Sequence, residues 1–326
     1  MKLNILTKLV QILSIYCLFF LGISSANAVN VKITPLGSHD GEFCARDRAL
    51  LFEDPDGTRL LYDAGLTVAG PNDPRLDKID AVLVSHMHGD HVGAYHIKKV
   101  NEGECGKPQA VINALPNTNA VNIALLKKSK IITGSEMPKF FAGKLKALGG
   151  DPKNSQLVRF GGERKIGGVS ITTVQAAHSN GIAGGMVGGQ LGTMLHAAGL
   201  TAYAGPPTGY VLTFSNGLVV YLSGDTGITA EQDTVVRQHY KAKLVVMNIG
   251  GTYTNGPKEA AYVVNELIKP REVIASHANE AATKNGKVIK GTRTYTFIKE
   301  TDVPVRVPLS GKVMEFDRAG RCRSGC

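Results

Sequence analysis

The chain has 326 residues, with 37 Lys and Arg against 27 Asp and Glu, nine His, five Cys and no Trp. A formal charge of +10, with 43% hydrophobic and 20% charged residues, excludes collagen, a disulfide-dense miniprotein and a wholly disordered chain. The length permits one large domain or two small ones, and the basic balance bears on solubility and steering before it bears on any partner.

Residues 1–28 read as a secretory signal peptide. Lys2 and Lys8 supply the positive start, residues 9–23 form an apolar stretch too short to span a bilayer, and Ala26-Asn27-Ala28 is a small-residue cleavage site. Cleavage after Ala28 leaves residues 29–326 as a single domain, discards Cys17 and, with two lysines gone, lowers the charge to +8. The expected location is periplasmic or secreted, with no stable membrane anchor after cleavage. In that compartment Cys44, Cys105, Cys322 and Cys326 can form disulfides, in any of three pairings.

Along the mature chain, residues 31–36, 49–53 and 59–62 read as strands, the last two joined by the turn Asp54-Pro55-Asp56-Gly57. Residues 81–85 read as a buried strand. Helices are predicted over 119–132 and 136–148. Residues 169–176, 210–215 and 219–223 read as strands, with Asn216-Gly217 as a hairpin turn between the last two. A strand over 244–248 precedes the clearest helix, 257–268, where Ala260, Val263, Val264, Leu267 and Ile268 share one face and Pro257 suits the first turn. A strand over 272–275 and a terminal helix over 292–299 complete the pattern. The Gly- and Ala-rich stretch 181–207 is too long for an ordinary connection and reads as a mobile lid or a packed Ω-loop.

The chemistry concentrates in His86-Met87-His88-Gly89-Asp90-His91, four ligand-type side chains within six residues directly after a buried strand. Neutral imidazole and carboxylate suit a zinc- or manganese-class ion, and a sharp turn after the strand lets alternate residues converge. His86 and His88 can point to one centre, Asp90 and His91 to its neighbour. A two-metal site needs more ligands. His178, Asp225 in Ser223-Gly224-Asp225-Thr226, and His277 each lie just past a strand-like run, so they can meet at one sheet edge.

This order of residues resembles the metallo-β-lactamase superfamily of metal-dependent hydrolases along nearly the whole mature chain. Asp63-Ala64-Gly65 resembles that superfamily's N-terminal aspartate motif. Ile249-Gly250-Gly251-Thr252-Tyr253-Thr254, followed by Gly256-Pro257 and a helix, resembles the branch containing ascorbate-6-phosphate lactonase; Thr252 stands where that branch often has histidine. The resemblance implies an α+β fold of four αββα layers, two mixed sheets flanked by helices. It assigns His86, His88 and His178 to one metal, Asp90, His91 and His277 to the other, and Asp225 to both. The superfamily's true β-lactamases lack a bridging carboxylate there, so Asp225 argues against a dedicated β-lactamase.

The expected function is hydrolysis of an ester, lactone or amide-like bond in a small molecule. Two divalent ions, zinc first and manganese or iron as alternatives, share a water, lower its pKa towards 7, and present the hydroxide to the substrate. Asp90 is the catalytic candidate among the ligands, orienting the nucleophile or receiving a proton. Asp63 and Ser85 are candidates to brace the ligating imidazoles. A phosphodiesterase or nuclease on the same site is the alternative hydrolase, and a non-catalytic metal-binding module the alternative outside enzymes. No specific nucleic acid is expected, because Lys98-Lys99 and Lys127-Lys128-Lys130 form no dense basic arm interleaved with aromatics. Tyr203, Tyr253, His196 and His39 are open candidates for substrate contact, and residues alone assign neither a substrate-binding set nor an oligomeric state.

Overall fold

The computed structural model describes residues 30–326; the expected signal peptide and Cys17 lie outside the described residues. The strands of the two main sheets are numbered in chain order. The first sheet takes β1 (Val31–Pro35), β2 (Leu50–Glu53), β3 (Arg59–Tyr62), β4 (Ala81–Leu83), β5 (Lys130–Thr133) and β6 (Ser155–Leu157). The second takes β7 (Glu163–Ile166), β8 (Val169–Gln175), β9 (Thr208–Thr213), β10 (Val219–Leu222), β11 (Leu244–Asn248), β12 (Glu272–Ser276) and β13 (Val305–Arg306). Then β14 (Met314–Phe316) and β15 (Cys322–Ser324) return to the first, whose order is β6-β5-β4-β3-β2-β1-β14-β15. The second sheet simply follows the chain, β7 to β13.

Both sheets are mixed. In the first, β3, β4, β5 and β6 run parallel; in the second, β10 to β13 run parallel and β7 to β10 alternate. Strand periodicity divides the apolar residues between layers. Ala81 and Leu83 enter the core between the sheets, with Phe52, Leu60, Ile171, Leu212, Leu222 and Ile274. Val82 and Val84 face the other way, against α2 (Asn119–Lys127) and α3 (Met137–Ala147), which follow the short α1 (Gly89–Val92). The outer face of the second sheet packs Tyr221, Val245 and Val273 against Ala260, Val263, Val264, Ile268 and Phe297. Four layers result, helix, sheet, sheet, helix. Across the middle, the buried Tyr210 hydroxyl of β9 lies 2.7 Å from the Val84 carbonyl and 2.9 Å from that of Ile132.

Three expectations change. The helix expected over 119–132 stops at Lys127, because Lys128 adopts a left-handed conformation (φ 54°) and Lys130–Thr133 becomes a strand beside β4. A four-residue buried strand and an apolar helix end look alike by periodicity. The 292–299 helix is present as Arg293–Glu300, capped by the Thr292 hydroxyl, but it is not terminal: β13, β14 and β15 follow it. Stretch 181–207, expected as a mobile lid or a packed Ω-loop, carries regular secondary structure in place of a loop. A two-stranded ribbon, Gly181–Ala183 with Thr201–Tyr203, encloses two helices, α4 (Gly184–Val187) and α5 (Gly189–Ala197). The predicted 257–268 helix forms as α6 (Pro257–Tyr262) and continues as a wider π-type turn over Val263–Ile268. The cysteines pair as Cys44–Cys105 and Cys322–Cys326. No helix among the described residues is long and apolar enough to cross a membrane.

Candidate metal centre

The C-terminal ends of β3, β4, β8, β10 and β12 meet at one edge of the two sheets, and each hands over a polar residue there. Asp63 follows β3. Ser85 and the histidine loop, with α1, follow β4. His178 follows β8, Asp225 follows β10 and His277 follows β12. The structure brings all seven predicted ligands together. His86, His88, His178 and Asp225 form one group and Asp90, His91 and His277 the other, with the potential donor atoms of each group within 4.8 Å of one another.

Asp225 stands between the groups. Its Oδ2 lies 3.0 Å from His277 Nε2, 3.4 Å from His91 Nε2, 3.7 Å from His178 Nε2 and 3.8 Å from His86 Nε2. Its turn is secured from two sides. Ser223 and Asn248 share a hydrogen bond of 2.9 Å, Asn248 Nδ2 donates to the Thr226 carbonyl, and the Thr226 hydroxyl accepts from Ala177 N, next to His178.

Asp63 and Ser85 brace the first loop as expected. His91 Nδ1 donates to Asp63 Oδ2 at 2.7 Å, and Ser85 donates its N–H and hydroxyl to the two Asp63 oxygens at 2.9 and 2.8 Å. His86 Nδ1 lies 2.9 Å from Ser85 Oγ. These contacts fix the ring orientations and leave the far nitrogens, His86 Nε2 and His91 Nε2, buried with no hydrogen-bond partner among the described residues. Buried nitrogens of this kind ordinarily find a partner, and here they face a carboxylate oxygen. The donor set therefore fits divalent cations.

Electrostatics agree. Burial, with His91 adding to it, pushes the pKa of His86 well below the ordinary imidazole value, so it stays neutral, as a ligand must. For His91 burial opposes charge, but Asp225, Asp63 and Asp90 outweigh it and lift its pKa to about 10. The negative charge that holds a proton there is the charge that attracts a metal. Asp225 and Asp90 both titrate below the usual carboxylate range. Burial works against this in each, and is overcome by His91 and His277 at Asp225 and by Arg48, then His91, at Asp90.

Backbone strain concentrates at the same edge. Asp63 and His277 both have positive φ (43° and 52°), a rare conformation for residues with a Cβ. Gly65 has no room for one: a Cβ there would sit 1.8 Å from the Asp90 carbonyl oxygen. That close approach explains the glycine in Asp63-Ala64-Gly65.

A cavity of about 280 Å³ opens over the centre, lined by His88, Asp90, His178, Asp225 and His277 together with Arg46, Arg48, Ser179, Tyr253 and Asn279. Of the open candidates for substrate contact, Tyr253 lies at this mouth, whereas Tyr203 lines a separate depression beside His178. His196 lies on α5. His39 is tied into a loop by Ser38 Oγ and the Gly103 carbonyl. Sequence reasoning missed Arg46, Arg48 and Asn279. Arg46 and Arg48 sit far from the histidine motif in the chain, and their one signal was proximity to Cys44.

Residues 58–278 match the model of the beta-lactamase superfamily domain. A UPF0173 metal-dependent hydrolase of Koribacter versatilis is 26% identical over 236 residues, 72% of this chain and 82% of the relative. Another from Cupriavidus metallidurans is 30% identical over 237 residues, 68% of this chain and 67% of the relative. Among solved structures, Igni18, a metallo hydrolase of Ignicoccus hospitalis, superposes with a TM-score of 0.54 at 20% identity, covering 88% of this chain and 99% of the other, and so shares the fold. With the αββα layers and the clustered ligand set, these matches place the chain in the beta-lactamase superfamily domain family, as a metal-dependent hydrolase.

Proposed function

We propose that the protein uses two divalent ions, zinc first, to hydrolyse an ester, lactone or amide-like bond in a small molecule outside the cytoplasm. The observation that carries the reading is the paired ligand groups flanking Asp225 under one small cavity. His86, His88 and His178 would hold one ion, Asp90, His91 and His277 the other, and Asp225 would contact both. Bound there, the ions supply an acidified water and an electrophilic contact for the carbonyl oxygen.

The side chains do the remaining work. Asp90 stays ionised beside Arg48 and His91, so it can orient the attacking water as an acceptor. Asp63 and Ser85 hold the imidazoles in the tautomers that leave Nε2 free. A cavity of about 280 Å³ supports a small-molecule substrate. The test loads the protein with zinc or manganese and assays lactone, ester, β-lactam and bis-p-nitrophenyl phosphate substrates. Turnover of a carbonyl substrate supports the reading. Turnover of the phosphodiester alone selects the phosphodiesterase alternative, and a filled centre that turns over none of the four sinks both.

Export is supported by the two cystine pairs, since disulfides persist in oxidising compartments. The check is fractionation with N-terminal sequencing, where export predicts a mature chain beginning at Val29. A cytoplasmic chain starting at Met1 would remove this part of the reading.

A further inference from the structure

Arg46 and Arg48 of the turn Cys44-Ala45-Arg46-Asp47-Arg48 line the cavity beside the histidines. The turn is pinned on every side. Cys44 is bonded to Cys105, and Ala45 N donates to the Cys105 carbonyl at 3.0 Å. Asp47 turns inward, buried, and its carboxylate accepts from Ser38 N at 2.9 Å and Cys44 N at 2.8 Å. Arg46 and Arg48, on either side of it, both reach the cavity.

The two arginines differ in what they already satisfy. Arg48, with 3% of its side chain exposed, directs Nη2 to Asp90 Oδ2 and Asn279 Oδ1, each at 2.8 Å. Its Nε and Nη1 have no hydrogen-bond partner among the described residues. Arg46 is 51% exposed, and its Nη1 stands 3.9 Å from Asp90 Oδ2, too far for a hydrogen bond. An exposed guanidinium at the mouth of a cavity, carried on a pinned turn and backed by a buried guanidinium with unused donors, is arranged to receive an acceptor from outside the chain. The charges agree. Two arginines and two aspartates line the cavity, so any divalent ion held by the histidines makes it net positive.

We propose that Arg46, backed by Arg48, forms an anion subsite, and that the substrate carries an anionic oxygen group, carboxylate or phosphate, beside the bond that is cut. This rests on the hydrolase reading and narrows its substrate class. Arg46 is the specificity residue. Arg48 is a positioning residue that orients Asp90 and adds positive charge behind the subsite.

The test uses the zinc-loaded full chain as wild type, Arg46→Glu and Arg46→Lys, with metal content measured for each. Two esters are compared, neutral p-nitrophenyl acetate and anionic mono-p-nitrophenyl succinate, and inorganic phosphate is titrated as an inhibitor and by calorimetry. In Arg46→Glu the ratio of kcat/KM for the anionic ester over the neutral one falls by about tenfold or more, carried by KM, and Arg46→Lys recovers part of it. A matching rise of about tenfold in the phosphate inhibition constant assigns the subsite to phosphate as well; a change confined to the succinate ester assigns it to carboxylate. A ratio and a phosphate affinity both within about twofold of wild type, with metal content intact, overturn the proposal while the hydrolase reading stands. If the loaded wild type cleaves neither ester, what has failed is ester hydrolysis and not the subsite. Calorimetry still decides the subsite, and an unchanged phosphate affinity in Arg46→Glu then refutes it.

Discussion

The two halves of the ligand set are built differently. The first sheet supplies His86, His88, Asp90 and His91 from one loop behind one strand, braced by Asp63 and Ser85. The second supplies His178, Asp225 and His277 singly, each from its own strand end. A local cluster keeps its geometry through the turn that carries it. Dispersed ligands keep theirs only while three strands hold their register, here through the parallel pairing of β10, β11 and β12 and the bonds around Thr226. Losing one imidazole of either half should therefore empty the position it serves, and losing the shared Asp225 should empty both.

Replacing the shared carboxylate gives the largest effect expected from this contrast. Asp225→Ala removes the oxygen near four of the five imidazoles and should empty both positions, with activity reduced by roughly a hundredfold or more. His88→Ala should empty one. Metal counting by elemental analysis separates the two, and two ions per chain in both variants would refute the ligand assignment. Next comes Asp63→Ala, which leaves every ligand in place but frees the His91 ring and the Ser85 hydroxyl. Metal affinity should fall by roughly 10- to 100-fold, more at the position of Asp90, His91 and His277 than at the other. An equal loss at both would show the loop to be no more autonomous than the strand ends.

The Cys44–Cys105 bridge tests a third element, the arginine turn, which belongs to neither half. Cys105→Ser should lower stability by about 2–4 kcal/mol in denaturant titrations. It should also raise KM more than it lowers kcat, because the ligand set does not contain the bridge. The smallest effect belongs to Asp73, which braces the segment after Asp63. It accepts from Ala69 N at 2.8 Å and is paired with Arg75, whose guanidinium also donates to the Gly37 and Thr67 carbonyls. Burial would raise the pKa of Asp73, but the hydrogen bonds and charge of Arg75 overcome this and leave it below its ordinary 3.8. A carboxylate with a depressed folded pKa stabilises fully above its unfolded value and loses that contribution as pH falls through the folded one. Asp73→Asn should thus cost about 1 kcal/mol near pH 6. The gap to wild type should close on acidification below 3.8, as read by urea titrations across pH. A gap independent of pH would mean that charge on Asp73 contributes nothing.

The same contrast explains what could be read from the residues. The histidine loop was legible because its spacing is local. His178, Asp225 and His277 were legible because each sits where a strand ends, and strand ends gather at an edge; Asp63 was legible only through the resemblance of Asp63-Ala64-Gly65 to a known motif. Arg46 and Arg48 were not, because nothing short-range ties residue 46 to residue 90; a disulfide to Cys105 and a buried Asp47 place them, and pairing cannot be read from four cysteines. The strand Lys130–Thr133 was hidden by continuity with α2, and β14 and β15, three residues each, are too short to show alternation.

The return of β14 to the flank of β1 joins the last part of the chain to the first. Val31, Lys32 and Ile33 pair with Phe316, Glu315 and Met314, a separation of nearly the whole domain. Until those final residues have been synthesised, β1 lacks a neighbour on that side and the inter-sheet core lacks Met314 and Phe316. Such long-range closure is slow and comes late in folding. A nascent chain thus stays unfinished until Met314–Phe316 are available, and a nonsense truncation before them would expose a bare sheet margin although every candidate ligand had been translated.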